Sequence, residues 1–388
     1  MSEVGLRSPA QEFKGPPRAW YMGDDWLQRD IEAVFRPRWL VAGHVDELDQ
    51  LGTYGYLTFS LGDEEALIRR DERGELRAFQ NFCPHRGSQL CVGRSGTAPT
   101  KRIVCPYHQW TFSVSDGSLL NAREMHEDFD PRWYGLKPVH VDEHRGLIFL
   151  CFDDGPVEPV IEYMAKADWG GYDFSSMKLA ATKTHQIRAN WKTVVENNLE
   201  CYHCGVNHPE FMEIFDWRTT AVQSFDEAVA SRTSGQEVEV VVSSVKVCNR
   251  VCEVPAPRGD GPEAGNPLAT VIASWEPGAF MVMRYDYAWI FVPRPVAPDH
   301  TELRQYWLVS EHAQEGRDYD REQLTSTMDK TMQQDLELCE RVQRGMRNTS
   351  YSPGPLNRIY QTGQAGFYMW YIERMRSMFP EVVLGEGF

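Results

Sequence analysis

The pattern of apolar and polar positions changes twice along the chain. The segment DDWLQRDIEAVF, Asp24 to Phe35, predicts a helix started by an aspartate cap and stopped before Pro37, at the end of an N-terminal arm. From Trp39 to about Asp153 the texture is one of short β-rich runs, YGYLTFSLG, EALIRR, LRAFQNFC, RIVCPYHQWTFSV and GLIFLCF, punctuated by Gly, Asp and Pro. These predict a small antiparallel all-β domain. Beyond Asp154, strand-like KLAATKTHQIRA, EVEVVVSSVKV, ATVIASW and WIFVPRP mix with helical stretches, which predicts an antiparallel sheet flanked by helices and an α+β class for the whole. The predicted division is 39–154 for the first domain, with 1–38 and 155–388 forming the second. Glu253 to Pro267 is rich in Pro and Gly and predicts a surface loop or lid. Its glycines neither follow a strand nor open a helix, so they are no dinucleotide fingerprint. No P-loop is present either, and any NAD(P)H would be used by a different chain.

Composition narrows the function classes. A length of 388 residues suits two domains, and 42% hydrophobic with 25% charged residues is the usage of a folded globular protein. The net charge of −16, from 40 basic and 56 acidic residues, argues against nucleic acid and anionic membrane surfaces as partners. A cationic or neutral small molecule is easier to recruit. No apolar run reaches the roughly 18–20 residues of a membrane span, and the first residues lack the order of a signal peptide, so the expected location is the cytoplasm. Nine cysteines, an odd number without a secretion signal, speak against a disulfide framework and for ligation or burial.

Two of those cysteines stand in a pattern. Cys83-Pro84-His85 is followed, after nineteen residues, by Cys105-Pro106-Tyr107-His108, so each half offers one thiolate and one imidazole. A zinc ribbon pairs cysteine with cysteine in each knuckle. A Rieske [2Fe–2S] centre instead gives one iron two cysteines and the other two histidines, so each of two loops must bring one of each. The spacing meets that requirement, with zinc and plain buried cysteines as the alternatives. Pro84, Pro106 and Gly87 keep the backbone bent, so that amides can reach the sulfurs. Cys91 and Cys151 fall outside the pattern and read as buried small hydrophobes.

A second constellation lies downstream. NWKTVVENNLECYHCGVNHPEF, Asn190 to Phe211, has helical texture to about Cys204, which puts Glu196, Glu200 and His203 on one face. His208 is about 140° further round an ideal helix. Gly205 can end that helix, however, and Pro209 biases His208 toward extended geometry, which lets the two imidazoles share a metal. Two histidines need a carboxylate to complete a facial triad with open positions, as in ferrous oxygenases. Arg321 to Met346 predicts a helix with an apolar stripe of Leu324, Met328, Met332, Cys339, Val342 and Met346, and Asp335 lies on its midline. A buried carboxylate requires a cation. Iron is the expected partner, with an arginine of the sheet as the alternative. Asp329, Glu337 and Glu340 project off the stripe and are expected to be solvated. Cys201-x-x-Cys204 has no second pair and no thioredoxin-like surroundings, so both read as local packing residues, with a role beside the iron left open. A zinc hydrolase site would leave the first constellation unexplained, because hydrolysis needs no electrons.

Residues Asn81 to Gln89 (NFCPHRGSQ) and Cys105 to Phe112 (CPYHQWTF) resemble the cluster-binding loops of the oxygenase α subunits of Rieske non-haem iron oxygenases. The resemblance runs from about Trp39 to the C-terminus, and ENNLECYHCGVNH is similar to the family's iron-binding motif. It implies a [2Fe–2S] cluster on Cys83, His85, Cys105 and His108, a mononuclear Fe2+ on His203, His208 and Asp335, and Glu200 as the acid bridging the two centres. It also implies a homotrimer in which electrons pass from His108 of one subunit through Glu200 to His203 of its neighbour. A separate flavin/iron–sulfur reductase, drawing on NAD(P)H, would supply them, and O2 would be the co-substrate. Members acting on aromatic rings usually carry aspartate at the bridge. The glutamate here, with its Glu-Cys-Tyr-His-Cys run, resembles the branch of glycine betaine, choline and carnitine monooxygenases.

That branch implies hydroxylation of an N-methyl group, giving a carbinolamine that loses formaldehyde. The alternatives are hydroxylation or dihydroxylation of an aromatic or alicyclic acid and, from another class, an electron-transfer Rieske protein, which would not need His203, His208 and Asp335. A trimethylammonium head is recognised mainly by aromatic faces. The candidates are Phe215 and Trp217, the alternating Tyr285, Tyr287, Trp289 and Phe291, expected on one face of a strand, and Phe367, Tyr368, Trp370 and Tyr371. Each of these can equally fill a core.

Overall fold

The structure is a computed structural model that describes residues 13–165, 173–215, 226, 227, 230, 238–257 and 265–380. Packing divides the chain into two units, one of Phe35–Lys166 and Asp173–Leu179, the other of Met1–Val34, Ala167–Tyr172 and Ala180–Phe388. The class is α+β, with antiparallel sheets in both. Among the described residues no helix is long and apolar enough to cross a membrane.

The smaller unit is built from three short sheets. The β-rich runs become the strands Gly55–Leu61, Glu64–Arg70 and Leu76–Gln80, joined at the edge by Ser95–Thr97. A three-stranded ribbon, Ile103–Val104, Thr111–Phe112 and Leu119–Asn121, carries the second cysteine loop, and Leu40–His44, Leu147–Cys151 and His140–His144 form the third sheet. One core joins Tyr56, Leu67, Phe79, Trp110, Phe112 and Leu136 with Cys83 and Cys105. The two thiols are therefore held by packing as well as by their turns.

The larger unit is organised on a six-stranded sheet of β1 (Met177–Ile187), β2 (Val238–Ser244), β3 (Ala269–Trp275), β4 (Ala279–Met283), β5 (Ala288–Ala297) and β6 (His300–Ser310), in the order β1-β6-β5-β4-β3-β2. Strands β2 to β6 form an antiparallel meander. The described helices around it include α1 (Asp24–Asp30), α2 (Trp191–Asn198), α3 (Cys204–Asn207), α4 (Pro209–Ile214), α5 (Arg321–Met346) and α6 (Thr362–Met378). The cap of α1 is Gly23 at φ 98°, not an aspartate, and no side chain closes it. Asp24 and Asp25 sit instead in the first turn, where the helix dipole favours them. Its continuation, Ile31–Phe35, widens to a π-helix.

Helix α5 keeps its predicted span, and its stripe is buried except for Val342, which is 45% exposed. Phe367, Tyr368, Trp370 and Tyr371 on α6 are all core residues. Tyr371 joins a buried ion pair in which Lys192, Trp191 and Tyr371 all donate to Asp30, and Phe367 packs edge-on against Trp191. Trp217 and residues 258–264 of the Pro/Gly-rich segment lie outside the described residues.

Candidate metal centres

The two cysteine loops share one backbone design. Cys83 N–H donates to Ser88 O at 2.8 Å and Gly87 N–H to Cys83 O at 2.9 Å; in the same way Cys105 N–H donates to Trp110 O at 2.8 Å and Gln109 N–H to Cys105 O at 3.1 Å. Each turn needs a left-handed residue four positions after the cysteine, Gly87 at φ 70° and Gln109 at φ 60°. Glycine marks the first loop in the sequence; nothing marks the second. The thiols are 1% exposed and in contact, and burial pushes Cys83 up to about 11 although the amides of His85 and Arg86 donate to its sulfur. His85 is exposed and His108 half-buried. Their ring centroids are 4.7 Å apart, and His85 stacks on Trp110. Two thiols inside, two imidazoles at the rim and amides on a sulfur make a donor set that fits a [2Fe–2S] cluster with a histidine-ligated outer iron.

In the larger unit the iron motif is three short helices rather than one helix to Cys204. Asn190 caps α2 by accepting from Lys192 N–H. The helix stops at Asn198, where Gly363 of α6 presses on Leu199 so closely that a Cβ there would lie 2.6 Å from Leu199 O. After a break, Gly205 lies inside α3 instead of ending a helix, and His208 sits at φ −121° between α3 and Pro209, the first residue of α4. The expected common face of Glu196, Glu200 and His203 is therefore not formed. Glu196 stays with α2, buried, and accepts from Tyr21 Oη. Glu200 lies in the break and accepts from His203 Nδ1 at 2.7 Å.

The break brings three donors to one point. His203 Nε2 and His208 Nε2 each lie 2.9 Å from Asp335 Oδ1. The other ring nitrogens are engaged outward: Glu200 Oε1 takes His203 Nδ1–H, and Gln334 Oε1 takes His208 Nδ1–H at 2.8 Å. These partners, from which the tautomers are assigned, turn both Nε2 lone pairs inward. Neutral rings so oriented would face a carboxylate oxygen with lone pairs only, and His208 Nε2, fully buried, makes no hydrogen bond. A cation between the three resolves the conflict. Without one, protons do so: burial opposes charge on His203, but hydrogen bonds to Asp335 and Glu200 prevail and lift it to about 9, while Asp335 is held below the ordinary carboxylate value against its burial. Two imidazoles and a carboxylate with an open side fit a ferrous ion. Gln334, next to Asp335, carried no sequence signal of its own.

A cavity of about 200 Å³ opens beside these donors. Its floor is written in the sheet register. Ile272, Val282 and Trp289 form one cross-strand row, and Ser274, Phe280 and Phe291 form the next. Phe211, Phe215 and Tyr360 add three more aromatic walls. Tyr285 and Tyr287 do not belong to this face, because β5 begins only at Ala288 and both lie in the turn before it. Asp329 also departs from expectation. It is 6% exposed rather than solvated and is paired with Lys183 and His185 of β1. Gln305 of β6 joins this cluster, donating to Asp329 Oδ1 at 3.1 Å and accepting from Trp289 Nε1 at 2.9 Å. Glu337 is exposed, and Glu340 pairs with Arg188. Cys201 and Cys204 are not separate packing residues but a disulfide beside His203.

Comparison with known proteins converges on one assignment. Residues 38–139 match the Rieske [2Fe-2S] domain model, and residues 174–377 match the ring hydroxylating alpha subunit (catalytic domain) model. The glycine betaine monooxygenase oxygenase subunit of Pseudomonas aeruginosa (strain UCBPP-PA14) is 34% identical over 396 residues, covering 95% of this chain and 91% of the relative. The carnitine monooxygenase oxygenase subunit of Acinetobacter pittii is 35% identical over 214 residues, 53% of this chain and 56% of the relative. The crystal structure of the quaternary ammonium Rieske monooxygenase CntA superposes with a TM-score of 0.75 at 24% identity, covering 94% of this chain and 96% of that one, and supports the fold. A bare electron carrier and a zinc hydrolase are thereby set aside: with its Rieske domain, its catalytic domain and these relatives, the chain belongs to the Rieske non-haem iron oxygenases, as an oxygenase α subunit related to the quaternary ammonium monooxygenases.

Proposed function

We propose that this chain is the terminal oxygenase that N-demethylates a quaternary ammonium compound such as glycine betaine, with release of formaldehyde. The observation that carries this reading is the meeting of His203, His208 and Asp335 beside an aromatic cavity of about 200 Å³. That volume is below the roughly 300–1,000 Å³ of sites for drug-sized ligands. It suits a small substrate better than a fused-ring arene. Aromatic faces attract a trimethylammonium group, each favourable contact contributing about 0.5–2 kcal/mol. Among the described lining residues there is no lysine or arginine, so a betaine carboxylate would be met by neutral groups such as Asn197, Asn198 and Thr362.

Cys83, His85, Cys105 and His108 would hold the cluster, within a domain spanning 39–154, and His203, His208 and Asp335 would hold the iron. When bound, the ferrous ion supplies O2 activation for C–H hydroxylation. The chain's own residues do the positioning. Glu200 and Gln334 hold the proton on each Nδ1, so both Nε2 atoms stay available, and the aromatic rows keep water from the methyl group to be hydroxylated. Glu200 would also connect His203 to the partner subunit's His108 in a homotrimer, and a separate reductase would deliver electrons from NAD(P)H in the cytoplasm.

Asp335→Ala tests the assignment. Iron should fall from three to two per chain while the cluster's spectrum persists, and formaldehyde formation with reductase, NADH and glycine betaine should cease. Continued turnover by this variant would refute the ligand assignment. Oxygen uptake by the wild type with an aromatic acid, and none with betaines, would refute the substrate class.

A further inference from the structure

The iron site contains a second possible donor set. Cys204 is 4% exposed, and its Sγ lies 4.0 Å from His203 Nε2. The ligand atoms of His203, Cys204 and His208 all fall within 4.8 Å of one another. In a tetrahedral site with Zn–N near 2.0–2.1 Å and Zn–S near 2.3 Å, nitrogen and sulfur stand about 3.6 Å apart. A shift of about 0.4 Å brings Cys204 to that spacing from His203, and a further closure of the trio, whose ligand atoms lie within 4.8 Å of one another, would let Cys204 ligate. Two three-donor sets thus share the same two imidazoles, one completed by Asp335 and the other by Cys204.

What separates them is the bond between Cys201 and Cys204. A sulfur tied in a disulfide has no thiolate to give, so only the carboxylate set remains. That set is hard and open, which suits ferrous iron. The thiolate set is softer, and thiolate with imidazole is a donor combination that favours zinc.

We propose that the Cys201–Cys204 disulfide governs which metal the catalytic site takes: closed, it reserves the site for iron; opened, it releases Cys204 as a zinc ligand. The inference rests on the iron ligands proposed above. In the opening step a dithiol reductant gives two electrons and two protons to the S–S bond, leaving thiols on Cys201 and Cys204 and becoming a disulfide itself. When zinc binds, the Cys204 S–H loses its proton to solvent and a Zn–S bond replaces a Zn–water bond. The Fe2+ that zinc replaces leaves to solvent, and iron and zinc keep their oxidation states throughout.

The test compares oxidised and dithiol-reduced holoenzyme, together with Cys204→Ser and Cys201→Ser, after exposure to zinc and removal of loose metal on a chelating resin. Zinc-edge X-ray absorption reads the coordination without interference from the iron cluster, and labile sulfide confirms that the cluster is intact. Reduced wild type and Cys201→Ser should retain at least tenfold more zinc than oxidised wild type and show a sulfur neighbour at about 2.3 Å. Cys204→Ser should show only nitrogen and oxygen, whatever its redox treatment. Equal zinc retention in the two redox states, or a sulfur neighbour that survives Cys204→Ser, would overturn the proposal. So would alkylation of both Cys201 and Cys204 in the untreated protein.

His208→Ala separates this from the ligand assignment. If its mononuclear iron is retained, the iron ligands are wrong; if that iron is lost yet wild type shows no Cys204-dependent sulfur, only the redox inference falls.

Discussion

Glu196 and Glu200 stand four residues apart and look interchangeable in the sequence, yet Glu196 is buried against Tyr21 while Glu200 accepts from His203. Glu196 is 7% exposed, and burial pushes it up to about 8 against the hydrogen bond from Tyr21 and the charge of Lys192. Unfolded, it would titrate near its ordinary 4.5. Between those values the folded chain holds a proton that the unfolded chain has released. Stability should therefore be highest at the acid end of the window and fall as pH rises from about 4.5 to about 8, with a slope of about 1.4 kcal/mol per unit. From about pH 5 to about pH 7.5 the loss is about 3 kcal/mol. Glu196→Gln keeps an acceptor for Tyr21 and removes the proton exchange. In thermal unfolding of the cluster-loaded protein at constant ionic strength, a unit of this size shifts by roughly 2–4 °C per kcal/mol. Across the window the wild-type midpoint should thus drop by about 6–12 °C more than that of the variant. Comparing the two removes the contribution of the neighbouring Lys192, whose own pKa burial lowers. Parallel curves for wild type and variant would show that Glu196 is ionised in the fold and would refute the reasoning.

The other expectations concern the metal site and its supports. In metal-depleted protein His203 carries a proton to about pH 9, held by Asp335 and Glu200 against burial, and Fe2+ must displace it. Anaerobic Fe2+ affinity should rise by up to about tenfold per unit from about pH 6.5 to about pH 9, with proton release on binding; an affinity flat across that range would contradict the site. Gln305→Leu leaves Trp289 Nε1 without its acceptor, at a cost of about 1–3 kcal/mol, and should raise KM for the methylammonium substrate with the iron content unchanged. An unaltered KM would remove Gln305 as the support of that wall. Lys192→Met leaves Asp30 fully buried with only Trp191 and Tyr371 as donors and should destabilise the larger unit by about 3–5 kcal/mol, most of it recovered by adding Asp30→Asn. A double variant no more stable than the single one would sink that account.

The sequence exposes what is local and hides what is set by distant contacts. Cys83, His85, Cys105 and His108 are legible because each pair fits within one tight turn. His203 and His208 are legible as residues, but the path between them is not. The helix before them ends where Gly363, on a helix more than 160 residues away, meets Leu199. No local propensity encodes that contact, and a helical period read through the break places Glu196 with Glu200 when only Glu200 reaches His203. The start of β5 at Ala288 likewise moves Tyr285 and Tyr287 off the cavity face, although their alternation with Trp289 and Phe291 is perfect in the sequence.

Helix α5 shows where pattern reasoning has to hand over to chemistry. It buries two carboxylates six residues apart, Asp329 and Asp335, at 6% exposure each. Burial alone therefore distinguishes neither. Asp329 meets Lys183, together with His185 and the amide of Gln305, so that its partners all come from within the protein. Asp335 meets two imidazoles whose outer nitrogens are already committed to Glu200 and Gln334. Rings so committed can answer a carboxylate only by taking on protons or by sharing a metal with it. An ion pair and a proposed metal ligand thus differ here by the partners that β1 brings to one turn of the helix and the broken segment brings to the next. Exchanging Asp335 for asparagine should accordingly weaken iron binding, whereas the same change at Asp329 should cost stability and leave the metal in place.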